Sequence, residues 1–266
     1  MFTVISKDGT EIAYDKVGQG PAVIVVDGAL AVRASGTSLA ELLAPNFTVY
    51  YYDRRGRGDS TDTKPYAVEK EVEDIEALSD VAGGSAYLYG ASSGGALALE
   101  AVLQLGDKIK KLAVYEIPYD SNEASVKAWR EYSAKLLELL AADRRGDAVA
   151  LFMKFVGVPD ETIENMRHEP TWQSMEALAP TLAYDGAVVG EDRTVPIERA
   201  TLITAQTLVM DGSTSFETMP FMRATAEALA KAIPNARHQV LGGQGHEVDP
   251  NVLAPVLAEF FGHNEH

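Results

Sequence analysis

The sequence contains no cysteine, which excludes disulfides, thiolate metal sites and a cysteine nucleophile. Basic residues are scarce: 23 Lys and Arg stand against 39 Asp and Glu, for a formal net charge of −16. So acidic a surface repels nucleic acid and anionic lipid, and neither is expected as a partner. No run approaches the roughly 20 apolar residues of a membrane helix. The opening stretch MFTVISKDGTEIAYDK lacks an apolar core of signal-peptide length. A cytoplasmic location is the default expectation. What remains is ordinary for a globular chain, with 46% hydrophobic and 23% charged residues.

Phe2–Ser6 and Glu11–Val17 flank a Lys7-Asp8-Gly9-Thr10 turn and predict an opening hairpin. The unbroken apolar run AVIVVD (22–27) has the pattern of a strand buried on both faces, as does FTVYYYD (47–53). Helical patterns at 37–44 and 65–81 alternate with these strands. A strand, a sharp turn and a helix then occupy 85–105, followed by a strand at 109–116. The alternation predicts an α/β fold with a mostly parallel sheet and helices on both faces. It pauses over 118–200, where helical patterns at 122–142, 146–155, 160–168 and 173–179 follow one another. The strand QTLVMD (206–211), a helix at 220–233, a strand at 237–241 and a helix at 251–261 resume it. The expected organisation is a core of residues 1–117 and 201–266 carrying a helical cap, residues 118–200.

Gly90-Ala91-Ser92-Ser93-Gly94 satisfies G-x-S-x-G with Ser92 at its centre. A nucleophile on a strained strand-to-helix turn brings neighbouring backbones together, so glycine is required two residues before and two after. The following helix starts beneath the reacting atom, where its free N–H groups favour developing negative charge. Ser92 is the nucleophile candidate. Ser93 would offer its backbone N–H to an oxyanion hole, with its side chain pointing elsewhere.

The chain resembles the α/β-hydrolases of the capped, serine-nucleophile type nearly end to end. The likeness rests on VVDGAL, YDRRGRGDS, GASSGG and GGQGH. It implies an eight-stranded, mostly parallel sheet with a helical cap insertion, and no metal or organic cofactor. It also implies a second oxyanion N–H after the third strand, here that of Ala29, with Asp27 where the family commonly has histidine. Arg54, Arg55 and Arg57 are expected as loop ion pairs and solvated charge. Dehalogenase and epoxide hydrolase chemistry normally use an aspartate nucleophile, and Ser92 argues against both.

Of five histidines, His263 and His266 lie in a polar tail expected to fray, His168 sits in the helical insertion, and His238 begins a strand. His246, in the glycine loop GGQGH beyond the last strand, is the candidate general base. The acid is less direct. The family usually takes it about four residues past the strand at 206–211, where this sequence has Ser215. Glu116, closing the apolar strand KLAVYE, is preferred, because an unpaired charge there is unfavourable. Some relatives, the haloalkane dehalogenases among them, are similar in taking their acid from the tip of this strand. Asp211 is the alternative, then Asp120, Glu217 or no acid.

The expected chemistry is hydrolysis of a medium-sized, largely apolar ester or lactone. Trp129, Phe152 and Trp172 of the insertion are candidate substrate contacts. Carbon–carbon bond hydrolysis, a non-hydrolytic step such as cyclisation, and a degenerate ligand-binding homologue stay open. So does the choice between monomer and homodimer.

Overall fold

Val23 and Val25 point to one side of their strand and Ile24 and Val26 to the other, and all four are buried. Such two-sided burial requires helices on both faces. A computed structural model describes residues 1–262 and contains that arrangement. The strands are β1 (Phe2–Ile5), β2 (Glu11–Val17), β3 (Ala22–Val26), β4 (Thr48–Tyr52), β5 (Ala86–Ala91), β6 (Ile109–Tyr115), β7 (Gln206–Gly212) and β8 (Ala236–Leu241). They form one eight-stranded sheet in the order β1-β2-β4-β3-β5-β6-β7-β8. β1 and β2, and β2 and β4, pair antiparallel, whereas every pairing from β4 across to β8 is parallel.

On one face α1 (Thr37–Leu43) and α12 (Pro250–Gly262) cover Val23, Val25, Tyr89, Ala113 and Met210. On the other lie α2 (Val68–Val81), α3 (Ser93–Leu105) and α11 (Phe221–Ala232), against Ile24, Val26, Leu88, Leu112 and Val209. The segment between β6 and β7 supplies α4 (Glu123–Ala141), α5 (Arg145–Phe155), α6 (Asp160–Met166), α7 (Thr171–Leu178), α8 (Leu182–Val189) and α9 (Ile197–Ala200). A short α10 (Ser215–Thr218) follows β7.

The fold is the expected one, with local departures. α2 opens at Val68, three residues beyond Pro65. The helix α8, LAYDGAVV, stands in a stretch for which the sequence predicts no element. Its glycine and paired valines are poor helix formers, but Leu182, Tyr184, Val188 and Val189 are buried, so packing overrides propensity. The tail that holds His263 and His266 lies outside the described residues. Among the described residues no helix is long and apolar enough to cross a membrane.

Candidate active site

Ser92 and Glu116 stand just past the ends of the neighbouring strands β5 and β6, Ala29 lies in the loop after β3, and His246 in the loop after β8. Ser92 directly follows β5 with φ 54° and ψ −129°, and α3 begins at the next residue. A β-carbon on Gly90 would lie 2.5 Å from the Gly94 carbonyl oxygen, and one on Gly94 would lie 2.2 Å from that of Val26. Both distances are impossible for real side chains, so crowding demands the two glycines of the motif. Leu30 (φ 56°) and Glu116 (φ 44°) share the positive φ of Ser92. These non-glycine residues follow β3, β5 and β6, which are adjacent in the sheet. Strain of this kind collects at functional sites, where the surrounding structure imposes it.

The ladder hydrogen bonds continue past the strand ends. Ser92 N–H donates to the Tyr115 carbonyl (2.9 Å), and Glu116 N–H to that of Met210 (3.0 Å). Glu116 therefore stands beside the elbow. Its carboxylate is buried and accepts from the Gly212 N–H (2.8 Å) and from His246 Nδ1 (2.8 Å). A carboxylate can only accept, so Nδ1 carries the proton and Nε2 is the bare, basic nitrogen. Burial pushes the Glu116 carboxyl upward. Hydrogen bonds from His246, Ser215 and Gly212 outweigh it, and the group is held below its ordinary value of 4.5. The buried Ser215 hydroxyl lacks a hydrogen bond of good geometry, but it faces Glu116 closely enough to contribute. Ser215, at the position where the resemblance placed an acid, is thus a hydroxyl turned toward the Glu116 carboxylate.

The loop that carries His246 is fixed from below. The Tyr115 phenol donates to the Gly245 carbonyl. Thr214 donates to the Gln244 carbonyl through its N–H (2.9 Å) and its hydroxyl (2.7 Å). Ser92 and His246 are both anchored on the dipeptide Tyr115-Glu116, one through its carbonyl and the other through its side chains.

Gly28 lies on the elbow, where a β-carbon would come 3.0 Å from Ser92 Cβ. Ala29 is the next residue along the chain from this contact. Among the described residues neither Ala29 N–H nor Ser93 N–H donates a hydrogen bond to protein. Unused N–H groups in a crowded site are ready donors for a developing oxyanion. The Asp27 carboxyl is pushed up to about 6, chiefly by burial, against the pull of Arg57 and Arg54; the residue keeps some exposed surface.

The other acid candidates have different partners. Asp211 pairs with Arg223 and His238. Asp120 accepts from the Asn122 N–H (3.0 Å), and Glu217 is exposed on α10. In the insertion, Trp129 donates its ring N–H to the Gly190 carbonyl (2.8 Å) and packs on Tyr132 and Phe155. Trp172 donates to Glu176 (3.0 Å) beneath Arg167. Phe152 is half-buried. Among the described residues no group of three or more His, Asp or Glu side chains is arranged to hold a metal ion.

Arg54, Arg55 and Arg57 require a correction. They are ion-paired as expected but not solvated: each is almost wholly buried. Arg55 binds Asp74 and Asp8, whereas Arg54 binds Glu71 and Asp185. Arg57 grips both oxygens of Asp185 at 2.9 Å. Burying a guanidinium demands such carboxylates. Asp185, which also accepts from the Ser93 hydroxyl at 2.8 Å, is the residue that the sequence reading misses. A lone aspartate inside the apolar run LAYDGAVV is the signal that could have found it.

The family model for the alpha/beta hydrolase family matches residues 30–258. An alpha/beta hydrolase from Sphaerobacter thermophilus DSM 20745 is 50% identical, with a TM-score of 0.88 over 98% of this chain and 100% of that one. An uncharacterized hydrolase, YraK, of Bacillus subtilis (strain 168) is 29% identical over 112 residues, 41% of either chain. The 2-hydroxy-6-oxo-6-phenylhexa-2,4-dienoate hydrolase from Rhodococcus sp. strain RHA1 shares the fold, at 21% identity and a TM-score of 0.68 over 98% and 99% of the two chains. With the family model spanning the elbow, the tip of β6 and the histidine loop, the chain belongs to the alpha/beta hydrolase family.

Proposed function

We propose that the chain is a serine hydrolase that cleaves a medium-sized, largely apolar ester or lactone through an acyl-enzyme on Ser92. The observation that carries this reading is the Glu116–His246 hydrogen bond beside a strained serine with two unused N–H groups near it. His246 Nε2 takes the Ser92 Oγ proton as Oγ attacks the carbonyl carbon. Ala29 N–H and Ser93 N–H hold the resulting oxyanion, and Glu116 stabilises the imidazolium. The tetrahedral intermediate collapses as His246 returns the proton to the leaving alkoxide. A water molecule repeats the cycle and frees the acid. Leu30, two residues from Gly28, and Phe152 of the insertion are half-buried apolar side chains that would be the apolar contacts for such a substrate; Trp129 and Trp172 would act mainly by shaping the insertion.

The test is labelling with a fluorophosphonate, together with turnover of short p-nitrophenyl esters. Wild type should show both and Ser92→Ala neither. Labelling without ester turnover would move the substrate to another bond type. An unlabelled wild type would remove Ser92 as the nucleophile.

A further inference from the structure

One carboxylate of the inserted helices reaches both halves of the oxyanion site. Asp185, on α8, is buried and accepts the Ser93 hydroxyl at 2.8 Å, so it holds directly the residue whose N–H is one donor. The same carboxylate binds Arg57 through both oxygens and Arg54 at 2.7 Å. Arg57 in turn donates to the Gly28 carbonyl and, at 3.5 Å, to that of Ala31. Arg54 reaches the Asp27 carbonyl at 3.3 Å. Those three carbonyls bracket Ala29, whose N–H is the other donor. The donors stand on two separate segments, the loop after β3 and the first residue of α3, which touch through Gly28 and Gly94 but have no hydrogen bond between the two donor residues themselves among the described residues. A shared anion, fixed by two guanidinium groups that cannot lose their charge, supplies a link between them.

We propose that Asp185 is a positioning residue: it sets the distance between the Ala29 and Ser93 N–H groups, so that the oxyanion hole is correctly formed only when the inserted helix α8 is seated on the core. Asp185 has this role only if Ser92 is the nucleophile proposed for it. A displacement of about 1 Å at such a site can lower a rate by about 100-fold, and an oxyanion donor acts on the transition state rather than on substrate binding.

The experiment compares Asp185→Asn, Ser93→Ala and Asp74→Asn. Asp74 serves as control because it pairs with a buried arginine of the same loop, Arg55, that touches neither donor. For p-nitrophenyl esters, kcat should fall about 100-fold in Asp185→Asn and about 10-fold in Ser93→Ala. KM should stay within about threefold, and affinity for a trifluoromethyl ketone should fall in step with kcat. Asp74→Asn should lower Tm yet keep kcat and ketone affinity. If Asp185→Asn does not fold, Ser93→Ala carries the same test. The proposal is overturned if Asp185→Asn, or Ser93→Ala in its place, keeps wild-type kcat and ketone affinity, or changes them no more than Asp74→Asn does. Wild-type labelling at Ser92 separates the outcomes: labelled wild type with unaffected variants removes only the role of Asp185, and unlabelled wild type removes both.

Discussion

Two carboxylate–imidazole pairs stand one strand apart. Glu116, just beyond β6, holds His246, and Asp211, in β7, holds His238. Both acids are almost fully buried and both histidines half-buried. Composition does not separate them; their surroundings do. Glu116 has a positive φ, sits beside Ser92 and meets a histidine carried on a loop. Asp211 lies inside a regular strand, adds Arg223 as a cation and meets a histidine of the neighbouring strand, opposite Val209 in register. A charged group held by a rigid partner on each side has its hydrogen bonds spent on the fold. Glu116 also accepts from the Gly212 N–H, but its imidazole partner is carried on a loop and bonded to it through Nδ1 alone, an arrangement in which the carboxylate can orient and stabilise an imidazole that itself moves a proton.

The sharpest way to break this comparison is to neutralise each acid in turn. Glu116→Gln should lower kcat for p-nitrophenyl esters by about 10⁴-fold, since the imidazolium loses its counter-charge and the tautomer its anchor. Asp211→Asn should leave kcat within about threefold and lower the unfolding free energy in urea by about 2 kcal/mol, the scale for a buried hydrogen bond to a charged group. The reverse pattern would transfer the catalytic role to Asp211. Next in size is a relocation. Ser215 faces Glu116, so Ser215→Asp introduced into Glu116→Gln should recover about 10-fold of the lost kcat, far short of what the single change removes.

Acid titration gives a smaller effect with a definite sign. Glu116 is held below 4.5 in the folded protein, so its ionised form stabilises the native state above that value. The contribution disappears as pH falls through the lower, folded pKa. The difference in unfolding free energy between wild type and Glu116→Gln should therefore be full at neutral pH and shrink progressively as pH falls below about 4.5. The smallest change is expected for His238→Gln, about 0.5 kcal/mol, because Asp211 keeps Arg223.

How much of this was legible in the sequence depends on the range over which each residue acts. The elbow was readable because its cause is local: Gly90 and Gly94 are required by atoms a few residues away or on the neighbouring strand. Glu116 was readable from a different regularity, a charge closing an apolar strand. The buried arginines were misjudged because a loop rich in arginine, glycine and aspartate looks solvated until its partners are known. Those partners, Glu71, Asp74, Asp185 and Asp8, come from two helices and the opening turn. Asp185 was hidden most completely. It lies 92 residues from Ser93 along the chain, on a helix whose glycine and valines mask its periodicity, so only the packed structure discloses its contacts.

The hydrogen bond from Ser92 N–H to the Tyr115 carbonyl has a mechanical meaning. It ties the oxygen-bearing residue, across the β5–β6 pairing, to the residue just before the acid-bearing one, which is itself tied to β7 near its end. Only the imidazole rides on a tether. Thermal loosening should therefore register first at residues 242–249, long before the relative placement of hydroxyl and carboxylate is disturbed. A cross-brace added to that tether would harden the whole assembly more than any repacking beneath the sheet.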